Sequence, residues 1–249
     1  MLSYVYLLFA VVHLTIWFWG WKLWANNNRP VSLFLVLFGG TLLFWDNLRI
    51  GLGRFIGAGD LLYGMTVPAF AWHWSLLPLL VIAAGSIARQ AGLPGAANKV
   101  VMGAFCVVAV ALSAHDIPKI FDMQLHLACF QDTVRYTTVV GPAQLCSPDQ
   151  APVLGGAEAA LVAIITNVIV LITGIGVWVK RKWPWMAVGA IVMFIAANPA
   201  WGNYGLVIAN FGEICITLGL ILTCVRFAKR REDGSPARGA AAVAVREAA

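Results

Sequence analysis

The repetition of long apolar stretches along almost the whole chain constrains its fold more than any other feature. A helix needs roughly 20 apolar residues to cross the hydrocarbon core of a bilayer. Seven such segments follow one another, at residues 2–24, 31–50, 64–88, 99–115, 153–179, 184–201 and 204–228. Hydrophobic residues make up 61% of the chain and charged residues only 11%, which excludes a soluble globular domain. The sequence therefore predicts an all-α, multi-pass membrane protein with seven transmembrane helices.

The distribution of basic residues predicts how these helices are oriented. Cytoplasmic loops of membrane proteins carry an excess of Lys and Arg. The basic residues concentrate in alternate connections and after the last apolar segment, at Lys22/Arg29, Arg89/Lys99, Lys180–Lys182 and Arg226–Arg231. We therefore expect a protein of the cytoplasmic membrane with its N-terminus outside and its C-terminus in the cytoplasm. The net charge of +6 mostly reflects these regions and requires no nucleic-acid partner.

The segments between and after the helices predict the domain organisation. Residues 1–229 form one transmembrane domain, and residues 230–249, rich in Ala, Gly and charge, are predicted to be a disordered cytoplasmic tail. The one long connection, about 115–152, lies on the predicted outer face and contains Cys129 and Cys146. A disulfide between them is compatible with that location. The loop is either a functional lid or an ordered cap without chemistry.

Glu213 is the most informative polar residue, because it lies near the middle of the last apolar segment. A charged group at the centre of a bilayer costs roughly 2.5–3.5 kcal/mol on insertion scales, so such residues usually face the protein interior and mark a site. Asn210 precedes it by three residues and shares its helix face. We expect the pair to contribute to a polar spot inside the membrane domain.

Other polar residues share the outer half of the membrane with this spot. Asp46, Asn47 and Arg49 lie in the outer third of the second apolar segment, and His73 lies in the third apolar segment, 64–88. We infer a cavity that opens toward the outer side and is lined by segments two, three, four and seven. Two simpler interpretations stay open: Asp46 and Arg49 form an ordinary i, i+3 ion pair, and His73 is a buried neutral histidine.

Aromatic residues at the same depth suggest what the cavity binds. An apolar pocket with a few convergent polar groups fits a lipid-like ligand, and aromatic faces stabilise cations by about 2 kcal/mol or more when desolvated. Packing against lipid accounts more simply for any one ring. The predicted substrate-binding residues are Asn210, Asn47, Arg49, Trp45, Trp72 and Phe70.

The size, the seven helices and the acids on helices two and seven resemble the small membrane-embedded meroterpenoid cyclases of fungi and bacteria. The resemblance is one of architecture and rests on Asp46 and Glu213. It implies that one of these acids starts cyclisation of a lipid or isoprenoid by protonation, and that the other assists or takes the final proton. His73 would be a further proton acceptor. The resemblance implies no cofactor.

Two alternatives of other classes remain open. Seven-helix ceramidase-like lipid hydrolases hold zinc with three histidines and an aspartate, and His73, His115, His126 and Asp116 supply the residue types. A receptor, transporter or scaffold is the non-enzymatic alternative, although the last segment lacks the lysine needed for a retinal Schiff base. The sequence predicts no oligomeric state.

Overall fold

The computed structural model describes residues 1–155 and 161–228, and within these ranges the chain is mainly helical. The predicted tail 230–249 lies outside the described residues. The helices are α1 (Leu2–Asn26), α2 (Val31–Gly39), α3 (Leu43–Ile56), α4 (Asp60–Leu76), α5 (Leu79–Gln90), α6 (Lys99–Phe121), α7 (Leu161–Arg181), α8 (Trp185–Ala196) and α9 (Gly205–Ala228). The strands are β1 (His126–Phe130) and β2 (Thr133–Thr137), and short 3-10 helices cover Pro142–Gln144 and Pro199–Tyr204.

Helix length supports five or six membrane crossings among the described residues. Five segments are long and apolar enough to span a bilayer: Leu2–Asn26, Val31–Ile56, Lys99–Phe121, Leu161–Arg181 and Pro199–Ala228. The pair α4 and α5, bent by 40°, forms a sixth if it is one span. The one α-helix in the crossing predicted at 184–201 is α8, whose 12 residues extend about 18 Å against a hydrocarbon core of about 30 Å. The multi-pass, all-helical class is therefore confirmed, whereas the count of seven is not.

Two helix breaks have local causes in the sequence. Between α4 and α5, Pro78 has no backbone N–H to donate to the preceding turn, so the helix bends there. Between α2 and α3, the consecutive Gly39 and Gly40 interrupt the helix. Gly39 and Leu77, which flank these breaks, both line the cavity described below.

Glycines hold the short helix α8 between α7 and α9. Apolar helices gain little from hydrophobic association inside lipid, so small residues that allow close approach drive their packing. A Cβ placed on Gly174 of α7 would lie 2.7 Å from the amide nitrogen of Ala187, and one on Gly189 of α8 would lie 2.7 Å from the carbonyl oxygen of Cys215 on α9. The three backbones therefore pack closely, which fixes α9 and its polar face.

The connection between α6 and α7 is built on a β-hairpin, an element that the sequence analysis did not predict. The strands are antiparallel, with His126 opposite Thr137 and Phe130 opposite Thr133. A disulfide joins Cys129 of β1 to Cys146, the pair proposed from the sequence. The side-chain amide of Gln150 donates to the carbonyl oxygen of Leu127 at 2.6 Å. The described part of the connection is thus an ordered, cross-linked cap.

Asp132, at the tip of the hairpin, ties the cap to the helices. Its carboxylate accepts a hydrogen bond from the Leu2 amide at 2.6 Å and forms an ion pair with Arg54 of α3 at 3.0 Å. Burial would raise the pKa of Asp132, but hydrogen bonds from the amino group of Met1 and the amides of Leu2 and Ser3 outweigh it, so the pKa lies well below its usual range. The start of α1, the end of α3 and the hairpin are therefore fastened at one point.

We expect Asp132→Asn to lower the free energy of unfolding by about 1 kcal/mol, because the amide keeps the geometry but loses the charge that strengthens these contacts. A group whose pKa is depressed by folding contributes stability above its unfolded pKa and loses it as the pH falls. The wild type should therefore lose this contribution below about pH 4, and the Asn variant should not. Thermal unfolding in detergent across pH measures both, with exposed Asp149→Asn as the control. Equal acid dependence in the two variants would contradict the assignment.

Candidate functional site

A cavity of about 290 Å³ lies between the helices and the hairpin. Residues of α3, α4 and α9 form most of its wall, and residues of α2, β2, α6 and α7 and of the adjoining connections complete the described lining. The helical segments from which the sequence analysis predicted a cavity all contribute to it. The breaks in the helices and the cap determine where the cavity lies.

Helix α3 contributes an ion pair to the cavity wall. Leu43, Asp46, Arg49 and Ile50 line the cavity from one face of the helix. Asp46 Oδ1 accepts a hydrogen bond from Arg49 Nε at 2.8 Å and forms an ion pair with Arg49 Nη2 at 2.6 Å. Arg49 is only 4% exposed, whereas the Asp46 side chain is 30% exposed. The ion pair considered from the sequence is therefore present, and its carboxylate faces the cavity.

Arg49 is further held by groups of the cap and of α4. Its Nη1 donates to the carbonyl oxygen of Tyr136 at 3.2 Å and lies 3.4 Å from the hydroxyl of Thr66. Its guanidinium carbon lies 5.3 Å from the ring centroid of Phe70, a cation–π distance. These contacts hold the guanidinium, and through it the Asp46 carboxylate, in one orientation.

Helix α4 supplies the aromatic part of the wall. Phe70, Trp72 and Trp74 line the cavity together with His73. The indole N–H of Trp72 donates to the carbonyl oxygen of Phe38 at 3.3 Å, which fixes that ring. No described residue forms a hydrogen bond with the His73 ring, so both ring nitrogens are available to a ligand or to water.

Helix α9 places Asn210 and Glu213 on the cavity wall, as their spacing predicts. The Asn210 amide donates to the carbonyl oxygen of Leu206 in its own helix at 2.8 Å. Glu213 differs from Asp46 and Asp116, the other acids that line the cavity, because none of the described residues forms a hydrogen bond or ion pair with it, and its Oε2 is buried. An ionised carboxylate without a partner is costly away from water, which makes Glu213 a candidate functional acid.

Asp116, the third acid of the cavity, is already paired. Its Oδ1 lies 2.7 Å from Lys119 Nζ and 3.0 Å from His115 Nδ1. His126 begins β1. Among the described residues, no three His, Cys, Asp or Glu side chains are grouped as a metal site. The zinc ligands of the hydrolase alternative, His73, His115, His126 and Asp116, are therefore not assembled in this part of the chain.

Arg135 of β2 is a cavity residue that the sequence analysis did not identify. It is 7% exposed, and its Nη2 donates to Gln144 Oε1 at 3.2 Å. Burial lowers the pKa of Arg135, although guanidinium groups stay charged in proteins. The alternation of Thr133, Arg135 and Thr137, which share one face of β2, was the available sequence signal.

Two predicted substrate-binding residues, Trp45 and Asn47, are not among the residues that line the cavity. Successive helix residues point in directions about 100° apart, so Asp46 faces the cavity while its neighbours face other elements. The Trp45 indole donates to the carbonyl oxygen of Met65 at 2.9 Å. Asn47 is fully buried and donates to the carbonyl oxygen of Leu43 at 3.0 Å.

Comparisons with protein-family models, with curated proteins and with solved structures find no match to this chain. The resemblance to membrane-embedded cyclases therefore stays a prediction.

Proposed function

We propose that this protein is a membrane-embedded enzyme that binds a lipid or isoprenoid in the cavity and starts its cyclisation by protonation from Glu213. One observation carries the proposal. Of the three acids on the described wall, Asp46 and Asp116 are paired with basic side chains, whereas Glu213 has no partner among the described residues. A carboxyl group in an apolar surrounding is suited to hold a proton and donate it.

The ion pair of Asp46 distinguishes its role from that of Glu213, whereas the sequence left the two acids interchangeable. Arg49 forms an ion pair with Asp46 and donates a hydrogen bond to it through Nε, so Asp46 is suited to stabilise positive charge and to accept the final proton. His73, without a hydrogen-bond partner among the described residues, is the second candidate acceptor. Glu213 is then the proton donor.

The reaction is an isomerisation and needs neither oxidant nor reductant. The Glu213 proton adds to a terminal double bond of the substrate, whose π electrons form the new C–H bond and leave a carbocation. A second double bond attacks this cation and closes the ring. Loss of a proton to Asp46 or His73 restores a double bond, and return of a proton to Glu213 completes the cycle.

The size and lining of the cavity favour a long apolar substrate that enters only in part. The volume of about 290 Å³ is just below the roughly 300–1,000 Å³ that is typical of ligand pockets. The cavity therefore accommodates the reacting end of a lipid chain while the rest stays in the bilayer. Phe70, Trp72 and Trp74 are suited to stabilise the cationic intermediate.

Orientation in the cytoplasmic membrane, with seven crossings and the N-terminus outside, is part of the proposal. The contact between Leu2 and Asp132 supports placing the start of α1 and the disulfide-bonded cap on one side. The contact between the Arg181 side chain and the Ala91 carbonyl oxygen supports grouping two of the basic connections on the other. On this arrangement the cap covers the outer end of the cavity.

Turnover in deuterium oxide tests the proposed chemistry directly. The purified chain in lipid nanodiscs is given linear isoprenoids that end in a double bond. Because the Glu213 proton exchanges with solvent, we expect a cyclic isomer of the substrate in which one carbon-bound hydrogen is replaced by deuterium. Mass spectrometry detects this increase in mass. A cyclic product without deuterium would contradict proton-initiated cyclisation. Loss of activity with a chelator and its return with zinc would instead favour the metal-dependent hydrolase.

A further inference from the structure

Arg135 is a buried charge without a counter-ion among the described residues. It is 7% exposed and lines the cavity, yet no described carboxylate lies within ion-pair distance of it. A guanidinium carries five N–H donors, and its one hydrogen bond to a described residue goes to the neutral amide of Gln144. A buried charge is costly unless it is paired, so this side chain lacks an anionic partner.

The other charges of the cavity do not supply that partner. Arg49 neutralises Asp46, and Lys119 neutralises Asp116. When Glu213 is protonated, as its proposed role requires, Arg135 is the one charge left uncompensated on the described wall. Thr137 and Thr138 line the cavity beside it and add hydroxyl donors to the same wall.

We propose that the cavity ligand carries a compact oxyanion, a carboxylate or a phosphate, which binds to the guanidinium of Arg135. The planar guanidinium matches the geometry of both groups and binds them through two parallel hydrogen bonds. This inference rests on the proposed function, because it assigns a head group to the substrate of the same cavity. The substrate class becomes an acidic or phosphorylated lipid whose apolar chain extends past the aromatic wall.

The position of Arg135 also gives the cap a role. Arg135 belongs to β2 of the hairpin, whereas Glu213 belongs to α9. A head group held on the cap fixes one end of the substrate, and the double bond is then presented to Glu213 at a set distance along the chain. Arg135 is thus a binding and positioning residue, and the hairpin is a recognition element in addition to a cover.

Binding of saturated probes tests this inference without turnover. The full chain in zwitterionic nanodiscs is titrated with dodecanoic acid, dodecyl phosphate and dodecanol at neutral pH, with the change in intrinsic tryptophan fluorescence, to which Trp72 and Trp74 of the cavity wall contribute, as the signal. We expect the two anionic probes to bind about tenfold or more tightly than the alcohol. Arg135→Gln should remove this preference and leave dodecanol binding unchanged, which also shows that the cavity is folded. Arg135→Lys, which keeps the charge but not the planar fork, should retain part of it.

The controls distinguish binding at Arg135 from a general attraction of anions to a basic protein. Arg89→Gln removes an exposed arginine of α5 and should keep the full preference. A wild-type protein without preference, or a preference that survives Arg135→Gln, would overturn the inference. Displacement of dodecyl phosphate by inorganic phosphate at equal concentration would assign the site to a free anion and overturn the lipid head group. Saturated chains offer no double bond to protonate, so these results are independent of the deuterium experiment.

Discussion

Glu213→Gln should reduce turnover by about 10²–10⁴-fold, the usual contribution of a general acid. The amide has nearly the same shape but cannot donate an acidic proton. Because Glu213 forms no hydrogen bond or ion pair with the described residues, its replacement breaks no observed interaction. We therefore expect the melting temperature of the variant in detergent to equal or exceed that of the wild type. Loss of activity with unchanged stability is the combination that distinguishes a catalytic acid from a structural one.

Matched variants make this result interpretable. Asp149→Asn changes an exposed carboxylate of the cap and should leave turnover unchanged. Glu213→Asp keeps an acidic proton but withdraws it by one methylene group, so it should retain more activity than the Gln variant. Asp46→Asn is unsuitable as a control, because it leaves the buried Arg49 without its carboxylate. Full turnover by Glu213→Gln would remove the proposed proton donor.

The sequence predicts well those features that depend on neighbouring residues. Apolar runs of spanning length predict membrane helices, and the spacing of Asn210 and Glu213 places them on one face of α9. The same rule, applied to α3, could have separated Asp46 and Arg49 from Trp45 and Asn47, since only the first pair repeats at i, i+3. The crossing predicted at 184–201 shows the limit of hydropathy: the segment is apolar throughout, but only Trp185–Ala196 is regular α-helix.

Features that depend on distant contacts could not be predicted. Strands β1 and β2 are each five residues long and lie in a connection of mixed composition, where periodicity is weak. Arg135 becomes a cavity residue only because the hairpin folds back onto α3. The pairing of Asp116 with Lys119 involves neighbouring turns of one helix and is local. That Asp116 lines the same cavity as Glu213, however, depends on how α6 packs against the other helices. The identity of the unpaired acid therefore required coordinates.

Gly53→Ala should detach the hairpin from α3 and lower the free energy of unfolding by about 3 kcal/mol, the upper end of typical overpacking costs. A Cβ at Gly53 would overlap the carbonyl oxygen of Val134 in β2. The obstacle is backbone rather than a flexible side chain, so it can be relieved only by moving the strand. Thermal unfolding in detergent measures the loss of stability.

Gly64→Ala is the matched control, since it makes the same change within helix α4, where a Cβ meets nothing within 4 Å apart from its chain neighbours and the backbone of its own helix. Alanine is favoured over glycine in a helix by roughly 0.5–1 kcal/mol, so this variant should be as stable as the wild type or slightly more so. Equal melting temperatures for the two variants would show that β2 does not pack on α3 as described. Because Arg135 follows Val134 directly, displacement of the strand should also reduce the preference for anionic lipid probes. We expect Gly53→Ala to lower both the stability and the preference for anionic probes, and Gly64→Ala to lower neither. This result would link the close packing of the cap to recognition by Arg135.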